Sequence, residues 1–276
     1  CYGKPVELYF NDNYQGLYFF RSGAKEATYG VDGKDATKFV IEGESEKGAA
    51  MFQAQSVTKW GDGTGDGLDV EFESNIPDAL TDDQKAKFNA FVKMVNDGNI
   101  ETFKANTLQT SVEAAIDYII FYNLMGSVDS CGRNLEWVTW DNGVHFTVIP
   151  YDFDQMFFND YNGLGRADKN VNACPVVQMR FGTTHNKYFD LIAQAYPKQL
   201  NDRYYELRKN IMREDNIIKR FTDYGSHIGI ANFNKELVKW PTAGRLVNYQ
   251  YLQSIVYDRF KLVDTQFAAF IAPLLS

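Results

Sequence analysis

Apolar and polar residues alternate in the first third of the chain and recur at helical spacing through most of the rest. "PVELYF" (5–10) and "GLYFF" (16–20) are aromatic, branched runs on either side of "NDNYQ", which predicts a hairpin. "ATKFVIEG" (36–43) and "GLDVEFES" (67–74) predict two further strands, and the glycines and aspartates of "KWGDGTGDG" (59–67) predict a loop between them. At Thr81 the period changes. "TDDQKAKFNAFVKMVNDG" has Thr81 as N-cap, an acidic first turn, Phe88, Phe91, Val92 and Val95 on one face, and Gly98 as its stop, so it predicts a helix. "SVEAAIDYIIFYNLMGS" starts from Ser111 and is apolar on most sides, as in a buried helix. Helical periodicity returns over 186–229 and 248–275. The layout is strand-rich first and helix-rich later, which predicts an α+β chain of two lobes sharing a cleft.

One central segment breaks the helical part. "LEWVTWDNGVHFTVI" (135–149) reads as two alternating strands, with Asp141, Asn142 and Gly143 making the turn. A hairpin returns to its starting edge, so Asp129 and Asn134, just before it, are expected near Asp152 and Asp154, just after it. Clustered carboxylates raise one another's pKa values unless a cation joins them, and oxygen-only ligands suit magnesium, manganese or calcium. The same aspartates and asparagines are also ordinary turn formers that bond backbone amides, and the residues alone leave both readings open. Asp141 belongs to the turn, and His145 is expected to be a strand-face residue.

Composition narrows the partners. Among 276 residues the formal net charge is −8, which opposes binding to nucleic acid or an anionic bilayer. No apolar run approaches the roughly 18 residues that a membrane span needs. Three cysteines without Cys-x-x-Cys spacing predict neither a disulfide framework nor a zinc knuckle.

"DSCGRN" (129–134), the hairpin and "PYDFD" (150–154) together resemble the CotH family of atypical kinases, in which Asp-x-x-x-x-Asn leads through an aromatic hairpin into Pro-Trp-Asp-x-Asp. "VELYFNDNYQGLYFF" and "NDRYYELRKNIMREDNIIKRFTDYGSHI" are similar to other segments of that family. The resemblance implies a protein-kinase-like, two-lobed α+β fold. On that reading residues 1–276 form a single domain, with a strand-rich N-terminal lobe over 1–76 and a mainly helical lobe over 77–276 that carries the hairpin at 135–150. It also implies transfer of the γ-phosphoryl group of ATP to Ser/Thr hydroxyls of a protein substrate. Asp129 would be the catalytic residue that orients or deprotonates the acceptor hydroxyl. Asn134, Asp152 and Asp154 would hold Mg2+ or Mn2+, and Lys38 would neutralise phosphate charge. A spore-coat, cell-surface or secreted location is implied as well.

The chain departs from the family pattern at several points. Arg21 and Ser22 stand where a glutamate commonly follows Gly-Leu-Tyr, Tyr151 replaces a tryptophan, and Ser130 and Cys131 occupy the stretch where a histidine is usual. The sequence also begins almost at the first hairpin, before which the family usually has a basic segment, so the expectation is either a fragment or an abbreviated lobe. These departures leave a second expectation, a non-catalytic structural or surface module that keeps the scaffold, and a weaker third, a metal-dependent hydrolase.

Overall fold

The computed structural model describes residues 3–23, 26–44, 71–106, 110–126, 130, 134–153, 156–158, 180–181, 184–185, 187–241 and 249–276. The loop expected over 59–67 lies outside these residues.

Strands β1 (Gly3–Phe10) and β2 (Asn13–Arg21) form the first hairpin, turning on Asn11 and Asp12. Both turn residues have positive φ, 45° and 63°, a conformation that Asn and Asp tolerate and that matches the strand twist. Among the described residues the hairpin pairs with no other strand, and two strands alone are marginal in water. It is held by helices α7 (Glu214–Ile228) and α8 (Ile230–Lys239). Glu236 Oε2 accepts from Leu17 N at 2.6 Å and from Tyr14 Oη at 3.1 Å, Lys235 pairs with Glu7 at 2.8 Å, and Phe19 meets Tyr224 edge-on.

After the short α1 (Glu26–Tyr29), β3 (Phe39–Glu44) and β4 (Glu71–Ile76) pair antiparallel. The strand expected from Ala36 begins only at Phe39. Asp35 accepts from the backbone N–H and the hydroxyl of Thr37, and its carbonyl accepts from Lys38 N, so these residues are spent on a turn. Helices α2 (Asp82–Asp97), α3 (Ile100–Ala105) and α4 (Val112–Met125) follow. Thr81 and Gln84 cap α2 reciprocally, Gly98 closes it at φ 63°, and Phe88, Phe91, Val92 and Val95 are all fully buried on the expected face.

Strands β5 (Leu135–Thr139) and β6 (Thr147–Pro150) are the central hairpin. They join the earlier pair in one sheet of order β4-β3-β5-β6, with Phe39 opposite Thr139 and Gly43 opposite Leu135. The sheet therefore runs across the expected boundary between the strand-rich and helical parts. Strand alternation gives the sheet two buried faces. Phe39, Ile41, Phe72, Leu135, Trp137 and Val148 join the main core, where Phe91 packs on Trp137 at 5.3 Å and on Phe146 at 5.1 Å. Val40, Ile76 and Val138 form a second cluster under Tyr29 and Val31.

A 3₁₀ turn (Met156–Phe158), the two-residue strands β7 (Arg180–Phe181) and β8 (Thr184–His185), and helices α5 (Lys187–Ala195) and α6 (Pro197–Lys209) lead to α7 and α8, and α9 (Tyr249–Leu275) ends the chain. The helical run over 186–229 is thus cut into three, because Pro197 opens a new helix and the stretch around Asn210 closes it. The fold is α+β in a two-lobed, kinase-like layout, and α4 is its central helix, buried along most of its length.

Candidate functional site

The register of the central hairpin decides which residues meet. Leu135 lies opposite Pro150, so Asn134 and Asp152 both fall at the open end of the hairpin. Asn134 Nδ2 donates to the carbonyl oxygen of Asp152 at 3.4 Å. Both residues have left-handed backbones, φ 54° and 48°, which Asn and Asp adopt more readily than most side chains. Asn134 Oδ1 and the Asp152 carboxylate make no hydrogen bond among the described residues.

Asp129 and Asp154 lie outside the described residues, but a neighbour of each is fixed by one residue of α4. Tyr118 donates its hydroxyl to the carbonyl of the buried Ser130 at 2.7 Å, and its ring meets Phe153 edge-on at 6.1 Å. Phe153 also packs on Phe121 at 4.9 Å. One helix thus anchors both connections that flank the hairpin, a role that the apolar run of α4 did not advertise.

Lys38 is placed elsewhere. It precedes Phe39, which pairs with Thr139 at the turn end of the hairpin, so Lys38 is level with Trp140, six residues along the chain from Asn134. At about 3.3 Å per residue that is about 20 Å, beyond the reach of a lysine side chain. Its ammonium instead pairs with Asp35 at 3.4 Å. The structure brings Asn134 and Asp152 together and leaves Lys38 at the other end of the sheet. Asp141, at the hairpin tip, accepts from His145 N at 2.9 Å and from Thr139 Oγ1 at 3.0 Å, and its carboxylate also meets the His145 ring, so both residues serve the turn.

Acidic residues that sequence reasoning passed over line the smaller sheet face. Glu136 is fully buried and sits directly opposite Glu42. Its Oε1 accepts from Tyr29 Oη at 2.6 Å and from Asn75 Nδ2 at 2.8 Å, while its buried Oε2 has no hydrogen-bond partner among the described residues. Burial pushes the Glu136 carboxyl up, against the pull of the Tyr29 and Asn75 bonds. Tyr151 is also pushed up, by burial and by the negative charges of Glu42, Glu136 and Asp152, with Arg21 acting in the opposite direction. The signal was a glutamate inside the otherwise apolar "LEWVT".

This end of the sheet is electronegative and presents uncommitted oxygen atoms. Among the described residues no three His, Cys, Asp or Glu side chains gather into a metal cage. Asn134 and Asp152 nevertheless fit the partial oxygen set by which a magnesium ion is held when substrate phosphates supply its other ligands.

A family model described as CotH kinase protein matches residues 2–263. A comparison with curated proteins finds no match.

Proposed function

Because the chain belongs to the CotH kinase family, we propose that it transfers the γ-phosphoryl group of ATP to a Ser or Thr hydroxyl of a protein substrate, with Mg2+ or Mn2+. The observation that carries this reading is the meeting of Asn134 and Asp152 at the hairpin's open end, with their side-chain oxygens uncommitted among the described residues. Asn134, Asp152 and Asp154 would hold the divalent ion, which neutralises charge on the phosphates when bound. Asp129 would orient the acceptor hydroxyl and take its proton. Phosphoryl transfer depends mainly on positioning and charge neutralisation, so the contacts of Tyr118 with Ser130 and Phe153, neighbours of Asp129 and Asp154, would bear on the chemistry. Arg21, whose charge bears on Tyr151 beside Asp152, would be a nearer cation than Lys38 for neutralising the phosphates.

The reading is tested by incubating the protein with Mg2+ and γ-labelled ATP, using casein as acceptor and following autophosphorylation by mass spectrometry. Asp129→Ala and Asp152→Ala are each expected to abolish transfer, and Asp152→Ala also to weaken nucleotide binding. Wild-type rates in both variants would refute the assignment.

The distance of Lys38 from the hairpin's open end favours a second reading, a scaffold that has kept the fold without catalysis. Millimolar ATP with magnesium separates the two, raising the melting temperature of a nucleotide-binding enzyme and leaving a bare scaffold unchanged.

A further inference from the structure

Between the last turns of α4, the 3₁₀ turn and the start of α7 the fold leaves a cavity of about 360 Å³. Its wall is built from Phe121 and Met125 of α4, Met156 of the turn, Met212 of the α6–α7 connection, and Ile217 and Phe221 of α7. The volume lies in the range of small-molecule sites, and three methionines give the wall a polarisable surface that adapts to an irregular apolar body.

One charged side chain, Arg220, joins this lining. The arginines around it are matched. Arg203 meets Asp117 at 2.7 Å, Arg208 meets Glu214 at 2.6 Å and Asp264 at 2.8 Å, and Arg213 meets Asp215 at 3.3 Å. Asp223, three residues beyond Arg220 on the same helix, is taken by Lys219 at 2.5 Å. Four residues to either side stand Asn216 and Tyr224, neither of them anionic. Among the described residues no carboxylate meets Arg220.

An apolar hollow with one unmatched guanidinium at its mouth is complementary to an anion that carries an apolar tail. The tail removes phenyl and thioether surface from water, and a carboxylate fits the planar fork of the arginine. A neutral hydrocarbon would leave the cation unanswered, and a cationic amphiphile would be repelled. We infer that this cavity binds an aliphatic carboxylate, tail inward and head on Arg220. The site uses none of the residues placed in phosphoryl transfer, and its test does not depend on that activity.

The test is calorimetric titration of the whole chain with sodium octanoate, 1-octanol and octylamine below their aggregation concentrations. Wild type is expected to take up one octanoate per chain, more tightly than octanol, and to exclude octylamine. Arg220→Gln should weaken octanoate about tenfold or more and leave octanol unchanged, because it removes a charge-assisted bond and keeps the hollow. Met212→Trp, which fills the hollow, should abolish uptake of both. The inference is overturned if wild type shows no saturable octanoate uptake, if octanol binds as tightly as octanoate, or if Arg220→Gln keeps wild-type affinity. Arg220 is exposed, so its replacement decides the matter even where Met212→Trp fails to fold.

Discussion

Arg259 of α9 is fully buried and directs two donors at one backbone oxygen of α4, with Nε at 2.8 Å and Nη2 at 2.6 Å from the Asn123 carbonyl. Asn123 lies in the last turn of α4, where helix carbonyls lack intrahelical partners and the helix dipole favours a cation. Replacing Arg259 by Leu keeps apolar contact and removes both donors. A hydrogen bond from a charged donor contributes about 1.5–3 kcal/mol, and two bonds sharing one acceptor add less than twice that. Relief from burying the guanidinium offsets part of the loss. The expected net destabilisation is about 2–4 kcal/mol, read from the midpoint of urea unfolding with an unchanged slope. Arg259→Lys, which keeps the charge and loses the fork, should fall between the two proteins. Leu stability equal to or above wild type would refute the reasoning, because desolvation would then outweigh both bonds. The same end of α4 leads to Asp129, so Arg259→Leu should also slow phosphoryl transfer in the assay above at temperatures where the protein remains folded.

Because pairing of β3 with β5 keeps Lys38 away from the hairpin's open end, Lys38→Ala should leave ATP affinity within about twofold of wild type, whereas Arg21→Ala should weaken it about tenfold if Arg21 serves the phosphates, as read by nucleotide titration. A loss confined to Lys38→Ala would overturn the placement of the phosphates. Asp264 governs part of the acid limb of stability: burial opposes its ionisation, but bonds from Arg208 and Tyr204 win and hold the carboxyl below its ordinary 3.8. Near and below pH 3.8 the unfolded chain therefore binds more protons than the folded one, so this stabilisation is complete above 3.8 and is lost as pH falls through the lower folded value. Asp264→Asn should flatten that limb in urea melts taken between pH 6 and pH 2.5. Gln84→Ala should cost about 1–2 kcal/mol in thermal or urea unfolding, since it breaks the reciprocal cap with Thr81 and the 3.0 Å bond to the carbonyl of Ala36. An unchanged midpoint would show that water replaces both bonds.

What the sequence alone determined was local: the extent and buried face of α2, the caps of α2 and α4, both hairpins, and a likeness to the CotH kinase family, whose model matches residues 2–263. These follow from periodicity, capping chemistry and turn residues, which act over a few positions. The meeting of Asn134 and Asp152 was legible for the same reason, because a hairpin's geometry is written in its own strands. Lys38, the burial of Glu136 against Tyr29 and Asn75, the anchoring of both flanking connections by Tyr118, and the matching that leaves Arg220 over all depended on contacts between segments far apart in the chain. Pairing β3 with β5 fixed which end of the sheet Lys38 occupies, and no periodicity within "ATKFVIEG" encodes the register of a strand nearly a hundred residues away.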